Sequence, residues 1–147
     1  MARGRAGVRA LLVTAALALA GPTPATVPAA HAEHEVAYRY TVLGYVTDPE
    51  GRVRAGVRVE LSREKTGFSY LGETDAAGFY VIVARLGDES RGETLALRAN
   101  AQALTLVARF DPEDHTTERG TRVDFNGRRP VENPTLFAGT LKRFLAQ

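Results

Sequence analysis

From Glu33 onward the apolar positions recur with a period of two, in stretches of five to ten residues separated by turn residues. That is the pattern of antiparallel strands with one buried face. The stretch from Val36 to Thr47 is rich in Tyr, Val and Thr and ends at Asp48-Pro49-Glu50-Gly51, where Pro presets one turn dihedral and Gly supplies a positive φ. Val57, Val59 and Leu61 alternate with Arg58, Glu60 and Ser62, and Glu64-Lys65-Thr66-Gly67 forms the next turn. Phe68 to Thr74 predicts a third strand closed by Asp75-Ala76-Ala77-Gly78. Phe79 to Ala84 is almost unbroken in apolarity, so it is expected to be a central strand covered on both sides. Thr94 to Ala99, then Leu104 to Phe110, then Val123 and Phe125 against Arg122 and Asp124, complete the series. Seven short strands with turns every 8 to 12 residues predict an all-β, seven-stranded antiparallel Greek-key β-sandwich.

The two ends of the chain depart from this period. After Asn133-Pro134-Thr135, the residues Phe137, Leu141, Phe144 and Leu145 recur at helical spacing, which predicts a short amphipathic helix capped near Thr135 and covering an edge or end of the sandwich. At the other end Arg3, Arg5 and Arg9 precede an apolar run from Ala10 to Ala20, and small residues follow up to Ala30-His31-Ala32. This is the three-part plan of a secretory signal, with Ala30 and Ala32 marking cleavage after Ala32. The run is well short of the ~20 residues that span a membrane, so no stable membrane insertion is expected after cleavage. The expected organisation is a signal peptide at 1–32, a sandwich domain at 33–130 and a tail with its helix at 131–147.

Composition changes the picture once the leader is set aside. The 19 basic and 17 acidic side chains of the whole chain become 16 and 17, so the mature part is near neutral. That argues against a nucleic-acid arm. The absence of Cys excludes disulfides, thiolate metal sites and a Cys nucleophile, and Trp, the commonest sugar-stacking ring, is absent as well. Arginine outnumbers lysine 17 to 2, a bias usual in GC-rich bacterial genomes. A periplasmic or secreted location follows from the leader.

The stretch Gly44-Tyr45-Val46-Thr47-Asp48-Pro49-Glu50-Gly51, followed by Ala55-Gly56-Val57-Arg58-Val59, resembles the opening of carboxypeptidase regulatory-like domains. Glu73-Thr74-Asp75-Ala76-Ala77-Gly78-Phe79-Tyr80 resembles the second half of that signature. The resemblance covers about Tyr40 to Asn126 and implies a transthyretin-like sandwich of the carbohydrate-binding-like fold. Its matching residues are structural. Gly51 and Gly78 permit tight turns, Asp48 and Asp75 bond their own turn backbone, and Gly56 lets the second strand start close to its neighbour. The loop Leu86 to Gly92, the acidic loop Asp111 to Gly120 and the tail are additions to that scaffold.

Little in the chain reads as chemistry. Transthyretin-like hydrolases carry a Tyr-Arg-Gly-Ser end, whereas this chain ends Phe144-Leu145-Ala146-Gln147. Intradiol dioxygenases, on a related sandwich, bind iron through two Tyr and two His, and only His34 and His115 lie beyond the leader. Asp111, Glu113, Asp114 and Glu118 lack the rhythm of a calcium loop, and Arg119 and Arg122 can neutralise them. The expectation is therefore no metal, no cofactor and no catalytic set. A small enzyme, which would have to use Asp111, His115 and Arg122, is the third reading. The first is an exported non-catalytic module for protein interaction or envelope structure, with an unknown envelope protein as partner. The second is a carbohydrate-binding module, with Tyr38, Tyr40, Tyr45 and Tyr70 as the candidate ligand-face residues, of which Tyr38 and Tyr40 share one face of the first strand while Tyr45 points to the other.

Overall fold

A computed structural model describes residues 36–147. The expected signal peptide, its cleavage residues Ala30 and Ala32, and His34 lie outside the described residues. The strands are β1 (Arg39–Tyr45), β2 (Arg58–Arg63), β3 (Ser69–Glu73), β4 (Phe79–Arg85), β5 (Thr94–Ala99), β6 (Gln102–Val107), β7 (Gly120–Phe125) and β8 (Pro130–Glu132), followed by helix α1 (Phe137–Leu145). They form two four-stranded sheets, ordered β4-β1-β7-β8 and β3-β2-β5-β6. The expectation of seven strands is corrected to eight: Pro130–Glu132 pairs with β7, in a segment whose three residues are too few to show a period of two. It is also not wholly antiparallel, because β1 and β7 run parallel from Thr41↔Gly120 to Leu43↔Arg122.

The inward positions of both sheets meet as expected from their alternation. Tyr40, Val42, Tyr80, Ile82, Val123 and Phe125 from the first sheet pack against Val59, Leu61, Leu95, Leu97 and Leu106 from the second. The first sheet is covered a second time. Phe137 and Leu141 of α1 pack on Leu43 and Phe79 from the side opposite the other sheet, with Tyr45, Val81 and Phe144 around them.

This double cover falls on β1, where five consecutive residues are buried. The unbroken apolarity of Phe79–Ala84 predicts that place for it, but β4 is an edge strand and Val83 on it is 50% exposed. Its unbroken apolarity comes from serving the core with Tyr80 and Ile82 and the helix with Phe79 and Val81, beyond whose reach Val83 stands in solvent.

Gly44 explains how β1 and β7 come so close. A Cβ there would lie 1.8 Å from the Val123 carbonyl oxygen. At this point the Tyr45 N–H donates to the Asp124 carboxylate (3.0 Å), whose own partner Arg122 also donates to the Thr140 hydroxyl of α1 at 3.1 Å. The helix itself starts differently from the expectation. Its N-cap position is Leu136 with no side-chain cap, and Thr135 lies within a 3₁₀ turn, Pro134–Leu136, that leads into it.

Candidate functional site

Parallel β1 and β7 put the turns that follow them at the same end of the sandwich, together with the two-residue connection between β5 and β6. The chain between β1 and β2 is held by Asp48, whose Oδ1 accepts from the N–H groups of Glu50 (3.0 Å) and Arg52 (2.9 Å). Gly51 closes this turn at φ 84°, its N–H donating to the Asp48 carbonyl. Between β7 and β8, Asn126 Oδ1 accepts from the N–H groups of Arg128 and Arg129, and Gly127 takes φ 76°. A Cβ at Gly127 would lie 2.5 Å from Pro49 Cδ, so the two turns are in direct contact. Between β5 and β6, Asn100 adopts φ 52°, a left-handed conformation that Asn tolerates better than most residues.

Together these three turns enclose a cleft of about 490 Å³, lined in part by Thr47, Asp48, Arg54, Asn100, Gln102, Phe125 and Arg128. Its electrostatics follow from how the charges are shared. Arg52 holds both acids, donating to Asp48 Oδ2 at 2.7 Å and Glu50 Oε2 at 3.4 Å. Desolvation pushes the Asp48 carboxyl up, but the Arg52 N–H and guanidinium and the Glu50 N–H outweigh it and hold it below the usual carboxylate range. Among the described residues the guanidinium groups of Arg54 and Arg128 have no such partner. Gln102 Oε1 is buried and makes no hydrogen bond. The cleft thus offers two cations without an acidic partner.

Of the residues named from sequence, Asp48 is in this cleft and Gly51 shapes its wall. Gly56 lies further along the same connection at φ 68°. A Cβ there would meet nothing within 4 Å, so its role is the dihedral and not the close strand approach expected. Asp75 and Gly78 build the turn before β4: Asp75 Oδ1 accepts from the N–H groups of Ala77 and Phe79, and Gly78 sits at φ 74° with room for no Cβ against the Val46 carbonyl. Arg54, Asn100, Gln102 and Arg128 were missed. Asn126-Gly127 was a legible turn signal, but nothing in a single sequence links it to residues 54 and 100.

The four tyrosines do not share a face. Tyr38 lies in a 3₁₀ turn (Val36–Tyr38) before β1 and is partly exposed. Tyr40 is buried in the main core, where desolvation pushes its hydroxyl up to about 12. Tyr45 packs on Phe79 beneath the helix, and Tyr70 stands beside the exposed Phe68. As expected from their spacing, Tyr40 and Tyr45 serve opposite sides of β1, a strand that is covered on both.

At the other end of the strands, Asp111, His115 and Arg122 are not brought together. His115 Nε2 pairs with Asp88 at 2.9 Å, and Arg122 is held by Asp124 and Thr140. The centre there is Arg119, 3% exposed, which donates to the Asp88 carboxylate and to the carbonyls of Ala37, Asp111 and Asp114, with its guanidinium 4.2 Å from the Phe110 ring centre. Asp111 and Asp114 accept from N–H groups of their own loop, and Glu118 pairs with Arg39. Among the described residues no three His, Asp or Glu side chains are grouped as a metal site requires.

A second depression, apolar and of about 440 Å³, runs along α1 beside residues 117 and 118. No helix among the described residues is long and apolar enough to cross a membrane.

No family model matches the chain, the carboxypeptidase regulatory-like family included, and no curated protein sequence matches it. Solved structures do match. One is the dioxygenase domain of a dioxygenase carbohydrate-binding protein fusion from Streptomyces sp. SirexAA-E, at 18% identity and a TM-score of 0.37, over 65% of this chain and 76% of that one. Another is catechol 1,2-dioxygenase from Acinetobacter radioresistens, at 15% identity and a TM-score of 0.38, over 65% and 45%. A third is chlorocatechol 1,2-dioxygenase from Pseudomonas putida, at 11% and 0.39, over 68% and 62%. The match spans less than half of the Acinetobacter enzyme. These neighbours are β-sandwich enzymes, and they overturn the expectation of an exported non-catalytic module for protein interaction or envelope structure. The likeness gives this chain neither their activity nor their substrates.

Proposed function

We propose that this chain binds a small polar ligand bearing an anionic group, in the cleft between the three turns at the end of β1, β5 and β7. The observation that supports this reading is the conjunction of Arg54 and Arg128, both without an acidic partner among the described residues, in one cleft. Two guanidinium forks suit a carboxylate or a comparable oxyanion. The turns are fixed by Asp48, Asn126 and Gly127 before any ligand arrives, which limits the ordering cost of binding. The leader and the paired turn motifs support an exported protein of carboxypeptidase regulatory-like type around this site.

Titration of the full chain with malate, citrate and inorganic phosphate, followed by calorimetry, tests it. The double variant Arg54→Gln, Arg128→Gln is expected to weaken the best of these ligands at least about tenfold, since each charge-assisted bond is worth about 1.5 kcal/mol. Equal affinity in both proteins would refute the reading.

A further inference from the structure

The groove along α1 is separate from the cleft and differs from it in chemistry. Its walls are Phe137, Ala138, Leu141, Leu145 and the edge of residues 117 and 118. Leu145 is 68% exposed, whereas Phe137 and Leu141 give the groove only their outer edges, the rest of each being packed on Leu43 and Phe79. The polar groups at its rim are not equivalent. Glu118 is paired with Arg39 at 2.8 Å, and the Thr117 N–H donates to Asp114 at 3.0 Å. Lys142 has no acidic partner among the described residues. The groove is thus an apolar strip with one uncompensated cation, and at 1.5 Å per residue it follows the helix for about 14 Å from Phe137 to Ala146.

We infer that this groove binds a single-chain amphiphile with an anionic head, the alkyl chain lying along Phe137, Leu141 and Leu145 and the carboxylate meeting the Lys142 ammonium. The charge at the rim selects the head group, because the one acid present is already neutralised. The apolar strip selects a chain over a compact ligand, since its affinity grows with each methylene removed from water.

The full chain is titrated with laurate, octanoate and dodecyltrimethylammonium, with binding read from amide shifts of α1 in heteronuclear NMR. Laurate is expected to bind, octanoate at least about tenfold more weakly for its four missing methylenes, and dodecyltrimethylammonium more weakly than laurate. Ala138→Trp, at an exposed helix position, fills the groove and is expected to remove laurate binding while far-UV circular dichroism stays unchanged. Lys142→Glu is expected to reverse the preference between the two twelve-carbon heads. Laurate shifts that survive Ala138→Trp, or a head-group preference unchanged by Lys142→Glu, would overturn the inference. So would a concentration-dependent dimer that Ala138→Trp dissolves, because the occupant would then be a second copy of this chain.

Discussion

The two ends of the sandwich are built from the same residue types and treat their charges in opposite ways. Around residues 109–119, Arg119 is buried and its two terminal amino groups donate to Asp88 and three backbone carbonyls, so the charge belongs to the fold, although its Nε is left without a partner. At the turn end, Arg52 takes both Asp48 and Glu50, and Arg54 and Arg128 are left over in a shared cleft. An arginine's neighbourhood therefore separates a structural charge from a recognition charge. Removing the first should cost stability, and removing the second should cost only binding.

The largest expected effect tests the structural half. Arg119→Met keeps the apolar contact with Phe110 but leaves the carbonyls of Ala37 and Asp114 without their donor and Asp88 without its buried cation. A loss of about 3 kcal/mol is expected, read as a lower urea midpoint with an unchanged slope. A change below about 0.5 kcal/mol would mean that this charge is no more structural than those at the turn end. The recognition half is tested by the stability of the Arg54→Gln, Arg128→Gln protein, whose midpoint should stay within about 0.5 kcal/mol of the unaltered chain while its anion binding falls.

A smaller effect concerns acid. The Thr117 hydroxyl, with the N–H groups of Thr116 and Thr117, holds the Asp114 carboxyl far below the usual carboxylate range, and Arg119, with His115, lowers that of Asp88. A group depressed on folding contributes stability that is complete above its unfolded pKa of about 3.9 and is lost as pH falls toward its folded value. Melting temperature is therefore expected to fall from pH 5 to pH 3. Asp114→Asn keeps an acceptor oxygen but cannot titrate, so its melting temperature should fall less over that interval. An identical slope in both proteins would count against a role for this carboxylate.

How far the sequence reached follows the same division. The turns at Asp48-Gly51 and Asp75-Gly78 and the alternation of β2, β5 and β7 depend on residues close in the chain, and these were legible. The edge position of β4 was not, because an unbroken apolar run looks alike whether its second face meets a sheet or a nine-residue helix from the end of the chain. Strand β8 was too short to show a period. The candidate cleft was the least legible part. Residues 54, 100, 102 and 128 meet only because β1 and β7 run parallel, an arrangement that Gly44 permits and that no local pattern announces.

The smallest expected effect is the most specific to the comparison. Arg52 does not line the cleft, yet it neutralises Asp48, which does. Arg52→Gln would leave the Asp48 and Glu50 charges uncompensated close to Arg54 and Arg128. Anion binding should weaken about two- to threefold at low salt, the scale of an exposed ion pair, and the difference should vanish as ionic strength screens it. A loss that persists in high salt would mean that Arg52 positions the turn and does not merely balance its charge. The turn end would then resemble the Arg119 end, with charge used to hold backbone in place. Binding that is unchanged at every salt concentration would show that Asp48 does not face the ligand, and would move the recognition surface toward Asn100, Gln102 and Arg128.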